Sequence, residues 1–240
     1  MTEALIVSIL AITIRAGASL LYATLGEIFT ERSGILNLGV EGIMLVGAAT
    51  AFAVSYHGGN AWLGLGAAIL IGALLSLIHA FLTITLRAEQ VVSGLALTIF
   101  GVGLAAFMGQ RLGPGGTTMV GLEGATFGRI PIPGLSSLPI VGPALFNQDV
   151  MVYLLYILVP VLSFWLYRTQ PGLHLRAVGE NPAASDAMGV DVTGVRYVYT
   201  LVGGMLMGCL LYTSPSHETN ESIAYAVFCL KIGGGGGGGG

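Results

Sequence analysis

Asn181-Pro182-Ala183-Ala184-Ser185-Asp186-Ala187-Met188-Gly189 carries the start and stop chemistry of a short helix within nine residues. Asn181 is a capping side chain, Pro182 fits the first helical turn, and Gly189 suits the left-handed position beyond the end. These residues lie in a polar island, 168–196, between two apolar runs. Neighbouring helices are usually joined by about 2–8 residues. A connection of 29 residues with its own capped helix therefore reads as a docking element, where a soluble partner pushes on a membrane-embedded chain.

Composition supports that setting. Of 240 residues, 54% are hydrophobic and 9% charged, against roughly 25% charged in a soluble domain. No Asp, Glu, Lys or Arg occurs between Glu41 and Arg87, nor in 90–110, 150–167 or 197–217. About 20 apolar residues cross the hydrocarbon layer as a helix, which satisfies its own backbone hydrogen bonds there. One such run also fits the buried helix of a large soluble protein; four together predict an all-α, polytopic transmembrane helix bundle with a cytoplasmic coupling helix. Net charge is −3 without a basic face, which argues against nucleic acid as a partner. Cys209 and Cys229 offer neither a disulfide framework nor metal-ligand spacing. The first run follows Glu3 without a basic leader and reads as a retained span.

Spans are expected near 4–26, 36–56, 61–86, 90–109, 150–167 and 197–213, with turns at His57–Asn60 and Arg87–Glu89. Residues 110–149 form a connection broken by Pro114, Pro131, Pro133, Pro139 and Pro143, although 140–146 could dip into the interface. Placing the island in the cytoplasm also places Arg32 and Arg87 there with Arg168, Arg176 and Arg196, and the N-terminus outside. Arg111 and Arg129 then lie in a long outer loop, where the positive-inside rule has little force.

In the third span Gly64, Ala68, Gly72, Ser76 and Ala80 recur every four residues as a stripe of small side chains. Such stripes let backbones approach closely in lipid; helix packing is the expected role, a direct substrate contact the other. Gly101, Ala105 and Gly109 repeat the device, as do Gly204 and Gly208.

Arg15 stands midway along the first span, with 11 uncharged residues on each side. A centred arginine requires protein, water or a counter-charge, unless the span tilts and the side chain reaches an interface. Further on, Asn37 and Glu41 are four apart and share a face if that stretch is helical. Gly34, Gly39, Gly42 and Gly47 loosen it, as in interrupted membrane helices that line a cavity. Asn37 and Glu41 fit hydrogen bonding to a polar solute; they also fit a structural pair holding Arg15. Arg15, Asn37 and Glu41 are the candidate translocation-path residues.

The stretch Leu25–Ala48, LGEIFTERSGILNLGVEGIMLVGA, resembles the signature of permeases in the branched-chain amino acid/ribose-type ATP-binding-cassette importer family. Arg87–Ala96, Ile130–Pro143 and Gly172–Gly189 add further resemblance in the right order, closest to the nucleoside and simple-sugar branch. The likeness covers roughly residues 1–208, taken as the transmembrane permease domain with 168–196 as its coupling loop. It implies a multi-pass protein of the cell membrane, a dimer with a like or unlike second permease subunit, two cytoplasmic ATP-binding subunits and an extracytoplasmic substrate-binding lipoprotein. It further implies that Gly179, Glu180, Asn181, Pro182, Ala184 and Gly189 form the ATPase contact. The expected role is a non-catalytic subunit translocating a small polar solute, with no catalytic residues, metal or cofactor of its own. Energy must come from a partner, because no GxxxxGK[ST] loop is present and the one lysine is Lys231.

Family members continue through further spans, whereas here residues 209–240 close in eight glycines. That tail is expected to be non-homologous, an artefact resembling translated adapter sequence; a natural flexible tail is the alternative. The chain as written is thus expected to be an incomplete, inactive permease. The rival function is a secondary transporter or channel without an ATPase. Arg15, Glu41 and His79 are its titratable candidates, but it leaves the capped helix unexplained. A membrane-embedded enzyme is weaker, since Ser76 and His79 have no nucleophile elbow or HExxH site beside them.

Overall fold

A computed structural model of the protein describes residues 2–116, 118, 127–131, 142 and 145–209. Helix α1 (Thr2–Arg32) is followed by α2 (Val40–Gly58) and by α3 (Ala61–Ala80), which continues through a π-helical turn, Phe81–Thr85. Helix α4 (Gln90–Arg111) leads into the long connection, where β1 (Arg129–Pro131) pairs antiparallel with β2 (Asn147–Asp149). Then come α5 (Val150–Arg168), α6 (Gln170–Glu180), α7 (Pro182–Ala187) and α8 (Val192–Gly208). The ribbon is tied to α5 by Tyr153, whose hydroxyl donates to the Ile130 carbonyl at 2.9 Å and accepts from the Gln148 amide at 3.1 Å. Pro133, Pro139, Pro143 and most of the interfacial dip at 140–146 lie outside the described residues, as does the tail beyond Cys209.

Among the described residues, five segments are long and apolar enough to cross a membrane: Val7–Arg32, Val40–Gly58, Ala61–Thr85, Gln90–Arg111 and Val150–Arg168. The chain is an all-α, multi-pass membrane bundle, with one small ribbon among the described residues. The sixth expected span corresponds to α8, which starts five residues earlier than expected, at Val192, and has 17 described residues. Asp191 sets that start: its Oδ1 accepts from the Gly194 amide at 2.9 Å. Outward faces are strongly apolar, with Ile99, Leu70 and Phe164 all exposed. Hydrocarbon solvates such faces and contributes little to holding helices together.

Close packing supplies the cohesion instead. All five residues of the small-side-chain stripe on α3 are buried. A Cβ on Gly72 would run into the Gly204 carbonyl of α8, and one on Gly208 into the Ala68 carbonyl. Between α2 and α4, a Cβ on Gly101 would lie 2.5 Å from the Gly42 Cα. At the other side of the bundle, the Tyr22 hydroxyl donates to the Met151 carbonyl at 2.9 Å, joining α1 to α5. Phe29, Leu166, Leu175 and Tyr199 form a separate cluster that seats α6 against α1, α5 and α8.

Candidate functional site: a capped surface helix over a non-helical segment

Helix α7 is built by the local chemistry of its ends. The Asn181 side chain, from a residue in extended backbone, accepts from the Ala184 amide at 3.0 Å, and Pro182 occupies the first turn. At the other end Gly189 has φ +83°, with Gly189 donating to the Asp186 carbonyl at 2.9 Å and Val190 to the Ser185 carbonyl at 3.0 Å. This is the Schellman arrangement, for which a left-handed glycine is favoured. Ser185 is buried beneath the turn, whereas Ala183, Ala184, Asp186 and Ala187 face outward. Met188, at the tip, is 84% exposed.

The island also contains α6, a helix in place of the loop expected there. Thr169 starts it by accepting from the Gly172 amide at 3.4 Å, and Gly172 allows contact with the Trp165 and Leu166 carbonyls of α5. Leu175 and Val178 are fully buried on its inner face. Two buried residues three apart in a polar sequence are the signal available for this helix. The Arg176 guanidinium covers the Tyr167 ring at 5.4 Å from its centroid.

Below the island, α1 ends in another Schellman motif: Gly34, φ +83°, donates to the Glu31 carbonyl at 2.9 Å and Ile35 to the Thr30 carbonyl at 3.1 Å. The chain then runs without helix to Gly39. Side chains from four helices occupy this segment's backbone groups. Gln90 of α4 accepts from the Leu36 amide at 2.8 Å and donates to the Gly34 carbonyl at 3.3 Å. His79 Nε2 of α3 lies 3.2 Å from the Leu36 carbonyl, and Thr98 of α4 donates to the Leu38 carbonyl at 2.8 Å. The Asn37 amide donates to Glu27 Oε1 of α1 at 3.4 Å, and Arg196 Nε of α8 donates to the Ser33 carbonyl at 3.2 Å. Buried backbone outside a helix needs such partners.

The candidate path residues are placed apart. Asn37 is fully buried in the non-helical segment, where its Oδ1 accepts from the Gly39 amide at 3.0 Å and its Nδ2 faces Met207 Sδ at 3.9 Å. Glu41 is exposed in the first turn of α2. Because α2 begins at Val40, the four-residue spacing does not place the two on one helical face. Arg15 is half-buried on α1 and its Nε donates to the Ala11 carbonyl at 3.4 Å. Among the coupling candidates, Glu180, Asn181, Ala184 and Gly189 are exposed and Pro182 half-buried, while Gly179 turns inward onto the Arg32 carbonyl. The stripe Gly64, Ala68, Gly72, Ser76 and Ala80 lies within the bundle, with Gly72 and Ser76 against α8. Glu27, Gln90, Thr98 and Arg196 escaped the sequence reading as site residues, because none belongs to a local spacing pattern with the segment it binds. Among the described residues, no cluster of three His, Cys, Asp or Glu side chains is arranged to hold a metal.

The family model for the branched-chain amino acid transport system, permease component, matches residues 8–231. A Haloferax volcanii protein named provisionally as a glucose ABC transporter permease is 46% identical over 198 residues, covering 82% of this chain and 59% of its own length. The guanosine ABC transporter permease protein of Bacillus subtilis is 37% identical over 214 residues, covering 85% and 66% respectively. For the nucleoside ABC transporter permease protein of Lactococcus lactis the figures are 35% over 196 residues, 79% and 61%. The chain thus spans between 59% and 66% of the length of these curated relatives. No solved structure matches it.

Proposed function

This chain belongs to the branched-chain amino acid transport system permease component family, and from that premise we propose that it is the membrane-spanning subunit of an ATP-binding-cassette importer for a nucleoside or simple sugar. The observation that carries the reading is α7, a helix capped at both ends and exposed in the polar island between the span Val150–Arg168 and α8. A helix of six residues has little stability of its own in water. Here its caps and the seating of α6 hold it in a fixed pose, which suits a surface that receives a partner's push.

In this reading cytoplasmic ATP-binding subunits dock on α7 and hydrolyse ATP, so the permease needs no cofactor and performs no catalysis. Glu180, Asn181, Pro182, Ala184 and Gly189 form or shape the contact, and Gly179 supports it from within. A substrate-binding lipoprotein delivers solute from outside, and a second permease subunit completes the pathway. The named solutes of the relatives, glucose, guanosine and nucleosides, share hydroxyl-rich polar edges and support that substrate class. Glu27, whose Oε1 accepts from the Asn37 backbone amide, adds a carboxylate beside Asn37 to the path candidates; Arg15 and Glu41 remain candidates further along the path.

The test uses the full-length permease. Its ATPase subunit should co-purify, and replacing 181–189 by a Gly/Ser linker should abolish that while the protein still reaches the membrane. Solute uptake into vesicles should require ATP. Equal uptake with and without ATP would favour the secondary carrier and refute the importer.

A further inference from the structure

The island and the discontinuous segment touch directly. Gly179, two residues ahead of the Asn181 cap, packs on the Arg32 carbonyl with no side chain between them, and a Cβ built on Gly34 would lie 3.5 Å from the Gly179 Cα. The Ser33 carbonyl, one of the carbonyls that α1 leaves over at its C-terminus, accepts from Arg196 Nε at 3.2 Å. Arg196 is in the second turn of α8, near the positive end of that helix's own dipole, where a cation is disfavoured. The opposed attraction comes from α1, whose C-terminal carbonyls favour a cation. The chain from Ser33 onward is then held by Gln90, His79, Glu27 and Thr98.

We infer that Arg196 is a positioning residue for transport, linking movement of the island to the non-helical segment Ser33–Gly39. The inference rests on the importer reading. A force on α7 reaches Gly179 through the last residues of α6, and the Arg196 bond makes the end of α1 follow α8. The backbone between Ser33 and Gly39 is the compliant element, because its shape is set by side-chain bonds rather than by a helical ladder. Rearranging those bonds moves Asn37, which is buried against Met207 of the same α8. Guanidinium geometry matters: Nε takes the carbonyl while Nη2 lies over Gly34, 3.3 Å from where a Cβ there would stand. A lysine retains the charge and loses this fork.

The experiment compares full-length wild type, Arg196→Met and Arg196→Lys, each reconstituted with its ATPase subunits and binding protein. Solute moved per ATP hydrolysed should fall about tenfold in R196M, an ordinary coupling factor between sites, with R196K between it and wild type. ATPase subunits should still co-purify with R196M. A second readout places a cysteine at Leu38, which is 40% exposed. Thiol labelling of Leu38→Cys should change on adding ATP in the wild-type background and stay constant with R196M. Unchanged transport per ATP in R196M, or an unchanged labelling response, overturns the inference while leaving the importer intact. Loss of ATPase recovery in R196M also overturns it, by assigning Arg196 to assembly. Wild-type uptake indifferent to ATP removes the importer reading itself, and this inference with it.

Discussion

His79 Nε2 of α3 lies 3.2 Å from the Leu36 carbonyl, a group in the non-helical segment 43 residues earlier in the chain. A carbonyl only accepts, so Nε2 carries the proton and the other ring nitrogen, 3.0 Å from Ser93 Oγ, is placed to accept from that hydroxyl. The histidine, itself buried, is thus a rivet between α3, α4 and the segment. His79→Ala leaves the Leu36 carbonyl without this donor, which costs about 1–3 kcal/mol when such a group stays unsatisfied. A clear fall in the unfolding midpoint of the detergent-purified protein is expected, and a smaller one for Ser93→Ala. Equal midpoints for wild type and H79A would remove the rivet.

The cap of α7 makes a sharper separation. Asn181→Ala removes the acceptor for the Ala184 amide, at a cost of about 1 kcal/mol to the helix. If the partner binds only the formed helix, affinity for the ATPase falls by about fivefold. Asn181→Asp keeps a capping oxygen and should bind close to wild type. Titrating labelled ATPase subunit onto both variants reads the difference; identical affinities for N181A and N181D would dissociate the cap from docking.

Two glycines on α3 offer a matched contrast. Gly66 has nothing within 4 Å of where its Cβ would stand, whereas Gly72 faces the Gly204 backbone of α8. Gly66→Ala should raise stability by up to about 1 kcal/mol through helix propensity. Gly72→Ala gains the same propensity, yet must push α8 away, so its net effect should be destabilising. Thermal unfolding of both proteins in one detergent decides this, and a midpoint for G72A at or above that of G66A would contradict the seam.

What the sequence disclosed and what it hid divide along the range of the forces involved. Asn181, Pro182 and Gly189 were readable because a cap is satisfied within three or four residues. The stripe from Gly64 to Ala80 was readable because helical periodicity places it on one face whatever it meets. Asn37 and Glu41 show the limit of that rule: four-residue spacing specifies a shared face only in a continuous helix, and α2 starts at Val40. The glycines flanking Asn37 had signalled the interruption, but not its partners. Leu36 finds Gln90 at 54 positions and Ser33 finds Arg196 at 163; no local pattern encodes either. Helix α6 stayed hidden for a related reason, since its polar sequence is helical around the fully buried Leu175 and Val178, and Leu175 packs with the distant Phe29, Leu166 and Tyr199.

Met188 gives the most direct measure of what α7 is for. At 84% exposure it contributes almost nothing to the fold of this chain, and a flexible thioether at the tip of a docked helix suits an adaptable apolar contact. Met188→Asp should therefore leave the unfolding midpoint of the isolated permease unchanged. Within an interface the same carboxylate would be buried without a partner, so capture of the ATPase subunit should fall by at least about tenfold, the scale of a central contact residue. Met188→Leu preserves the apolar volume and should hold the subunit nearly as well. Full capture by M188D would mean that the ATPase approaches α7 from another side, past Ala183 and Ala184 rather than over the tip.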